Sequence, residues 1–154
     1  MARPELGPAN LLVIDDEPGI RELLSRHFAF LGYRVDTAAN GKEALDCLSR
    51  RRYDVTISDI KMPVMTGVEL LRVVGRDYPM MSTIMITGYV DMTNLLDCMR
   101  YGAHTVVYKP LNDLRELEDA VQQCVRHARH WERKLRELID LKPAPKAPAA
   151  RSDD

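Results

Sequence analysis

A chain of 154 residues can bury a core without disulfide or metal staples, and its length fits one domain. Its 22 basic and 23 acidic residues leave a net charge of −1, which argues against a global basic field for nucleic acid and against a like-charged disordered chain. Three widely spaced cysteines, Cys47, Cys98 and Cys124, lack metal-ligand spacing and suit core packing in a reducing cytoplasm, and no apolar run reaches signal-peptide or membrane-spanning length.

Residues 1–9 carry no periodic pattern and are expected to be flexible. The first β-rich run, LLVI at 11–14, leads into an amphipathic stretch at 18–31 that Gly32 closes. YRVDTA at 33–38 predicts a second strand, and Asn40-Gly41 opens a second helix over 41–51. YDVTIS at 53–58 predicts the third strand, followed by a helix over 67–76 that Asp77 to Pro79 ends. STIMIT at 82–87 and HTVVYK at 104–109 complete five strands, separated by a helix over 91–101 closed at Gly102. The last helical pattern begins near Asn112 and runs to about Leu141, before KPAPKAPAARSDD, whose Pro/Ala-rich composition predicts a disordered tail over 142–154.

Five alternations of strand and helix imply a parallel α/β sheet covered on both faces. With right-handed crossovers, the economical architecture is a flavodoxin-like, doubly wound five-stranded sheet of order 2-1-3-4-5 with an extended C-terminal helix. In such sheets ligands bind at the carboxyl ends of the strands.

Chemistry-bearing residues fall at those ends. Asp15, Asp16 and Glu17 follow the first strand and Asp59 follows the third, its neighbour in the sheet. Taken singly, each acid is as ordinary as any turn or N-cap residue. Together they crowd one pocket, where carboxylates raise one another's pKa unless a cation joins them, and an all-oxygen donor set selects magnesium. The fourth strand ends in Thr87 and the fifth in Lys109, which bring a hydroxyl and an ammonium to the same rim. A nucleophilic carboxylate, a hard cation, a lysine and a hydroxyl make a site for a phosphoryl group, with Asp59 as the nucleophile.

The stretches VIDDEPGIRELL at 13–24, DIKMPVMTGVELL at 59–71, ITGY at 86–89 and YKPL at 108–111 strongly resemble the receiver domains of bacterial two-component response regulators. The resemblance covers about residues 10–127 and implies a domain there, phosphorylated on Asp59 by a sensor histidine kinase or a phosphotransfer protein. It implies Asp16 as a direct magnesium ligand, Asp15 acting through water, Asp59 itself, and the backbone carbonyl of Lys61 as the remaining protein ligand. It further implies Thr87 reading the phosphoryl oxygens, Lys109 pairing with them, a cis bond before Pro110, and Lys61 and Tyr89 tuning hydrolysis. Gly67 matches the family's turn into the third helix, and Gly88 would keep the phosphate's surroundings small. One position departs: Val106 stands where many relatives carry a switching Tyr or Phe. Strand alternation puts Tyr108 on the same face as Val106, where it could substitute in part.

The last helix carries apolar residues at Leu114, Leu117, Val121, Cys124, Ala128, Trp131, Leu135 and Leu138, in alternating steps of three and four. The first half is what packing on a sheet requires. Residues 128–141 extend past the expected domain, so Ala128, Trp131, Leu135 and Leu138 predict a homodimer or partner-docking helix, against the alternative of a helix folded back on its own domain. Glu132 with Arg136 and Arg133 with Glu137 are expected to pair along its outer face. A dehalogenase-type phosphatase would need a DxD nucleophile pair and a cap domain, neither of which is seen. A receiver-like fold without phosphorylation would lack some of the chemical positions, all of which are filled. No helix-turn-helix pattern or basic stripe supports direct DNA binding. The expectation is a stand-alone cytoplasmic phospho-acceptor without separate substrate turnover.

Overall fold

The computed structural model describes residues 8–88 and 91–141. The expected N-terminal residues 1–7, Tyr89 and the tail 142–154 lie outside the described residues. Strands β1 (Asn10–Ile14), β2 (Arg34–Ala38), β3 (Val55–Asp59), β4 (Ser82–Thr87) and β5 (Thr105–Tyr108) alternate with helices α1 (Pro18–Phe30), α2 (Gly41–Arg50), α3 (Gly67–Asp77), α4 (Met92–Arg100) and α5 (Arg115–Leu141). All four strand pairings are parallel, in the order β2-β1-β3-β4-β5.

Alternation along the strands divides the core in two. Leu11, Val13, Val55, Ile57, Ile84, Ile86 and Val107 face α1 and α5, where Leu24, Phe28, Leu117, Val121 and Cys124 cover them. On the other face, Leu12, Ile14 and Ala38 pack with Ala44, Leu48, Leu70 and Val74, while Met85 and Val106 meet Leu71 and Cys98. This two-residue period is why the strand runs were legible. Capping accounts for the helix starts: Asn40 accepts from Glu43 N–H at 2.9 Å, Thr66 from Glu69 N–H at 3.2 Å, and Asp91 from Thr93 N–H at 2.8 Å. Gly32 and Gly102 close α1 and α4 at φ of 98° and 85°, in the left-handed region that glycine alone enters freely.

Several expectations need correction. The chain is already tied down at Ala9, which is buried and whose carbonyl accepts from Arg34 N–H at 2.9 Å. β3 starts at Val55 and includes Asp59, whose register partner is Ile86. Ala128 is buried against its own domain, so it belongs to the core and not to a partner face, whereas Trp131, Leu135 and Leu138 are 48%, 48% and 64% exposed. Glu132 does not pair with Arg136. It meets Arg129 at 3.1 Å and Arg52 at 3.3 Å, because Arg129 is drawn inward toward Asp54 at 3.7 Å. Glu137 pairs with Lys134 at 3.2 Å, not with Arg133.

Candidate functional site

Parallel register brings the acids together. Ile14 lies opposite Ser58, so Asp15 and Asp59 leave the sheet at the same edge, and carboxylate oxygens of Asp15, Asp16 and Asp59 lie within 4.8 Å of one another. Asp15 is wholly buried and Asp59 nearly so, while Asp16 is exposed at the mouth. From the end of β5, Lys109 sends its ammonium into the cluster, 2.9 Å from Asp15 Oδ2, 3.0 Å from Asp59 Oδ2 and 3.1 Å from Glu17 Oε2. Lys61 N–H donates to Asp59 Oδ1 at 3.3 Å. Thr87, buried at the end of β4, accepts through its carbonyl from Lys109 N–H at 2.8 Å, and the Lys109–Pro110 bond is cis as the resemblance implied.

Burial alone would lower the pKa of the Lys109 ammonium. Its close contacts with Asp15, Asp59 and Glu17 and the charge of Asp59 outweigh that, and the group stands above the usual lysine value. Asp15 moves the other way for a carboxylate. Burial pushes its pKa up and the Asp59 charge adds to this, against the Glu17 N–H and the Lys109 ammonium.

One lysine therefore serves three acids, and the deepest of them remains under-served. Asp15 Oδ1 accepts from Glu17 N–H at 2.9 Å, but Oδ2 is buried without a directed hydrogen bond, although Lys109 Nζ is within ion-pair distance. A buried carboxylate oxygen whose charge is met only by a shared lysine is costly in the cation-free protein and natural in a cation site. Three clustered carboxylates fit a hard divalent ion better than a thiophilic or imidazole-seeking one.

Sequence reasoning placed Asp15, Asp16, Asp59, Thr87, Lys109 and Pro110 at this edge, and the fold brings them together. Val106 is half-buried on the α4 side, and Tyr108, on the same face, is 48% exposed. Gly88 is less constrained than expected: a methyl group there would sit 3.7 Å from Lys109 carbons, an ordinary contact. Gly67 is far more constrained, since a Cβ would fall 2.0 Å from the carbonyl oxygen of Asp59. Two contributors were not on the expected site: Glu17 as the third partner of Lys109, and Arg21, whose Nη1 donates to the Asp15 carbonyl at 2.7 Å. Glu17 was visible as the third acid of a run, whereas Arg21 carried only the signal of a cation on the opening turn of a helix.

A five-stranded parallel sheet with an acid cluster and a lysine at its carboxyl edge defines the class of doubly wound α/β folds that bind their ligands at that edge. The family model of the response regulator receiver domain matches residues 11–122, and the chain belongs to that family. Sporulation initiation phosphotransferase F of Bacillus subtilis (strain 168) is 35% identical over 113 residues, which cover 73% of this chain and 90% of that protein. Transcriptional regulatory protein GlrR of Escherichia coli (strain K12) is 32% identical over 119 residues, 75% of this chain but 27% of that protein. The chain thus spans about a quarter of the length of such longer curated relatives. Among solved structures, response regulator protein TrrA from Thermotoga maritima in complex with Mg(2+)-BeF has a TM-score of 0.68 and 35% identity, covering 75% of this chain and 98% of that one. No helix of the described residues is long and apolar enough to cross a membrane.

Proposed function

We propose that this chain is a cytoplasmic receiver that accepts a phosphoryl group on Asp59 from a sensor histidine kinase or phosphotransfer protein, in a magnesium-dependent reaction. The observation that carries this reading is the Lys109 ammonium set 3.0 Å from Asp59 and 2.9 Å from the buried Oδ2 of Asp15, which accepts no directed hydrogen bond. Asp59 supplies the attacking carboxylate oxygen. As the oxygen–phosphorus bond forms, the phosphorus–nitrogen bond to the donor imidazole breaks and its electron pair stays on nitrogen. Asp15, Asp16, Asp59 and the carbonyl of Lys61 would hold magnesium, which when bound neutralises charge on the transferring group. Lys109 is placed to leave its carboxylate partners for the phosphoryl oxygens, and the Thr87 hydroxyl to hydrogen-bond to them.

The magnesium held by TrrA and the name of the Bacillus subtilis phosphotransferase support this assignment by family. The chain acts as a phospho-acceptor, with no separate substrate to turn over, and signals through changed protein contacts. Val106, in place of a switching aromatic, leaves Thr87, Tyr89 and Tyr108 to report the state. The exposed Trp131, Leu135 and Leu138 favour a homodimer or an effector on the last helix. Sedimentation equilibrium checks the dimer, which a monomeric mass at every concentration would remove. The phospho-acceptor reading is tested by intact mass after incubation with acetyl phosphate. A phosphate adduct that needs magnesium and disappears in Asp59→Ala is the expected result, and its absence from a folded, rapidly quenched wild type overturns the assignment.

A further inference from the structure

Arg21 occupies an unfavourable place for a cation. It stands on the opening turn of α1, four residues past Glu17, whose carbonyl accepts its backbone N–H at 3.2 Å. That turn has no acidic residue and its Glu17 cap makes no side-chain hydrogen bond, so a guanidinium there meets the positive end of the helix with no local compensation. Its compensation lies outside the helix, where Nη1 donates to the Asp15 carbonyl at 2.7 Å.

That bond completes the fixing of Asp15. The Asp15 N–H donates to the Ala38 carbonyl at 3.1 Å, Oδ1 accepts from Glu17 N–H at 2.9 Å, and the carbonyl accepts from Arg21. Only Oδ2 has no directed hydrogen bond, and it is buried beside Asp59 and Lys109. Every other polar atom of the residue is committed, so Oδ2, beside the Lys109 ammonium, is the oxygen left to face a cation. Groups that hold a ligand residue in place, without touching the ion, govern metal affinity through the geometry they impose.

We propose that Arg21 is a positioning residue of the divalent-cation site: by pinning the Asp15 carbonyl it aims Asp15 Oδ2, and sets Asp16 next along the chain, toward the ion. The proposal rests on the magnesium reading of the acid cluster. Arg21 bonds to the Asp15 carbonyl and not to Asp59, so its effect falls on cation binding and not on the chemical step.

The test uses Mn2+ as the probe, its binding to the full chain followed by electron paramagnetic resonance, with urea unfolding in EDTA beside it. Arg21→Met keeps the apolar stem and removes the donor, and is expected to weaken Mn2+ binding about tenfold. In acetyl phosphate reactions the Mg2+ concentration for half-maximal rate should rise by the same factor, while the rate at saturating Mg2+ stays within about twofold of wild type. Arg21→Lys, which keeps the charge and a shorter single donor, should fall between the two, and it carries the test if the Met variant does not fold. Folded variants that bind Mn2+ as tightly as wild type overturn the proposal, as does a lowered saturating rate at unchanged cation affinity. A wild type that binds no Mn2+ removes the cation site itself, an outcome distinct from variants that match a binding wild type.

Discussion

At the residue scale, the loop between β3 and α3 holds the acceptor under unusual backbone constraint. Met65 N–H donates to the Pro63 carbonyl at 2.9 Å around Val64, whose φ is 73°. This is a γ-turn of the rare, strained hand, and it carries a β-branched residue that is 78% exposed and gains little from packing. Val64→Gly should therefore stabilise the fold by about 0.5–1 kcal/mol, the left-handed penalty relieved less the extra chain entropy of glycine, as urea unfolding would measure. Three residues on, the opposite holds. Gly67 N–H donates to the Ile60 carbonyl at 2.8 Å, and a methyl group would collide with the Asp59 carbonyl oxygen. Gly67→Ala should cost about 1–3 kcal/mol and slow adduct formation from acetyl phosphate, because the clash is relieved only by moving the acceptor's own backbone. Of these two positions, only Gly67 was legible. A glycine after Met62-Pro63 is a turn signal, but valine has no left-handed preference, and its conformation is imposed by closing the loop on Ile60.

At the element scale, strand and helix types were readable because each β-strand buries alternate residues on two covered faces, and the starts of α2, α3 and α4 are marked by capping side chains. The end of the domain along α5 was not readable. Heptad spacing runs unbroken from Leu117 through Leu138, so periodicity cannot tell the half that packs on the sheet from the half that leaves it. The division is made by charges from elsewhere in the chain: Asp54 at the start of β3 draws in Arg129, and Arg52 holds Glu132. Asp54 also accepts from Asn10 N–H at 2.8 Å, so this clamp joins β1, β3 and α5 at the end of the sheet opposite the acid cluster. Arg129→Met should destabilise the protein by about 1–3 kcal/mol, because a buried carboxylate loses its nearest cation. Hydrogen exchange of backbone amides over residues 129–141 should quicken more than that of β3. Equal protection in wild type and variant would mean that the helix extension holds itself, without the clamp.

At the scale of the whole molecule, the site draws on the stability of the fold. With its pKa raised by burial and by Asp59, the folded state binds the Asp15 proton more tightly than the unfolded chain does. The cation-free protein therefore has this contribution in full below the ordinary aspartate value of 3.8, and loses it as pH rises through the higher folded value. At neutral pH a charged Asp15 is a net burden, so Asp15→Asn should stabilise the protein in EDTA by on the order of 1 kcal/mol, the surplus of repulsion and burial over the pull of Lys109. Magnesium should invert the ranking. At about 100 times its dissociation constant a ligand bound only to the folded state adds about 2.7 kcal/mol, which wild type would gain and the variant would largely forgo. Thermal unfolding of both proteins, in EDTA and in saturating Mg2+, should give melting curves that exchange order. If Asn lowers stability equally in both solutions, Asp15 is serving as an ordinary structural partner of Lys109. An exchange of order would instead mean that the cost of burying a carboxylate beside Asp59 is what makes the folded chain responsive to the ion.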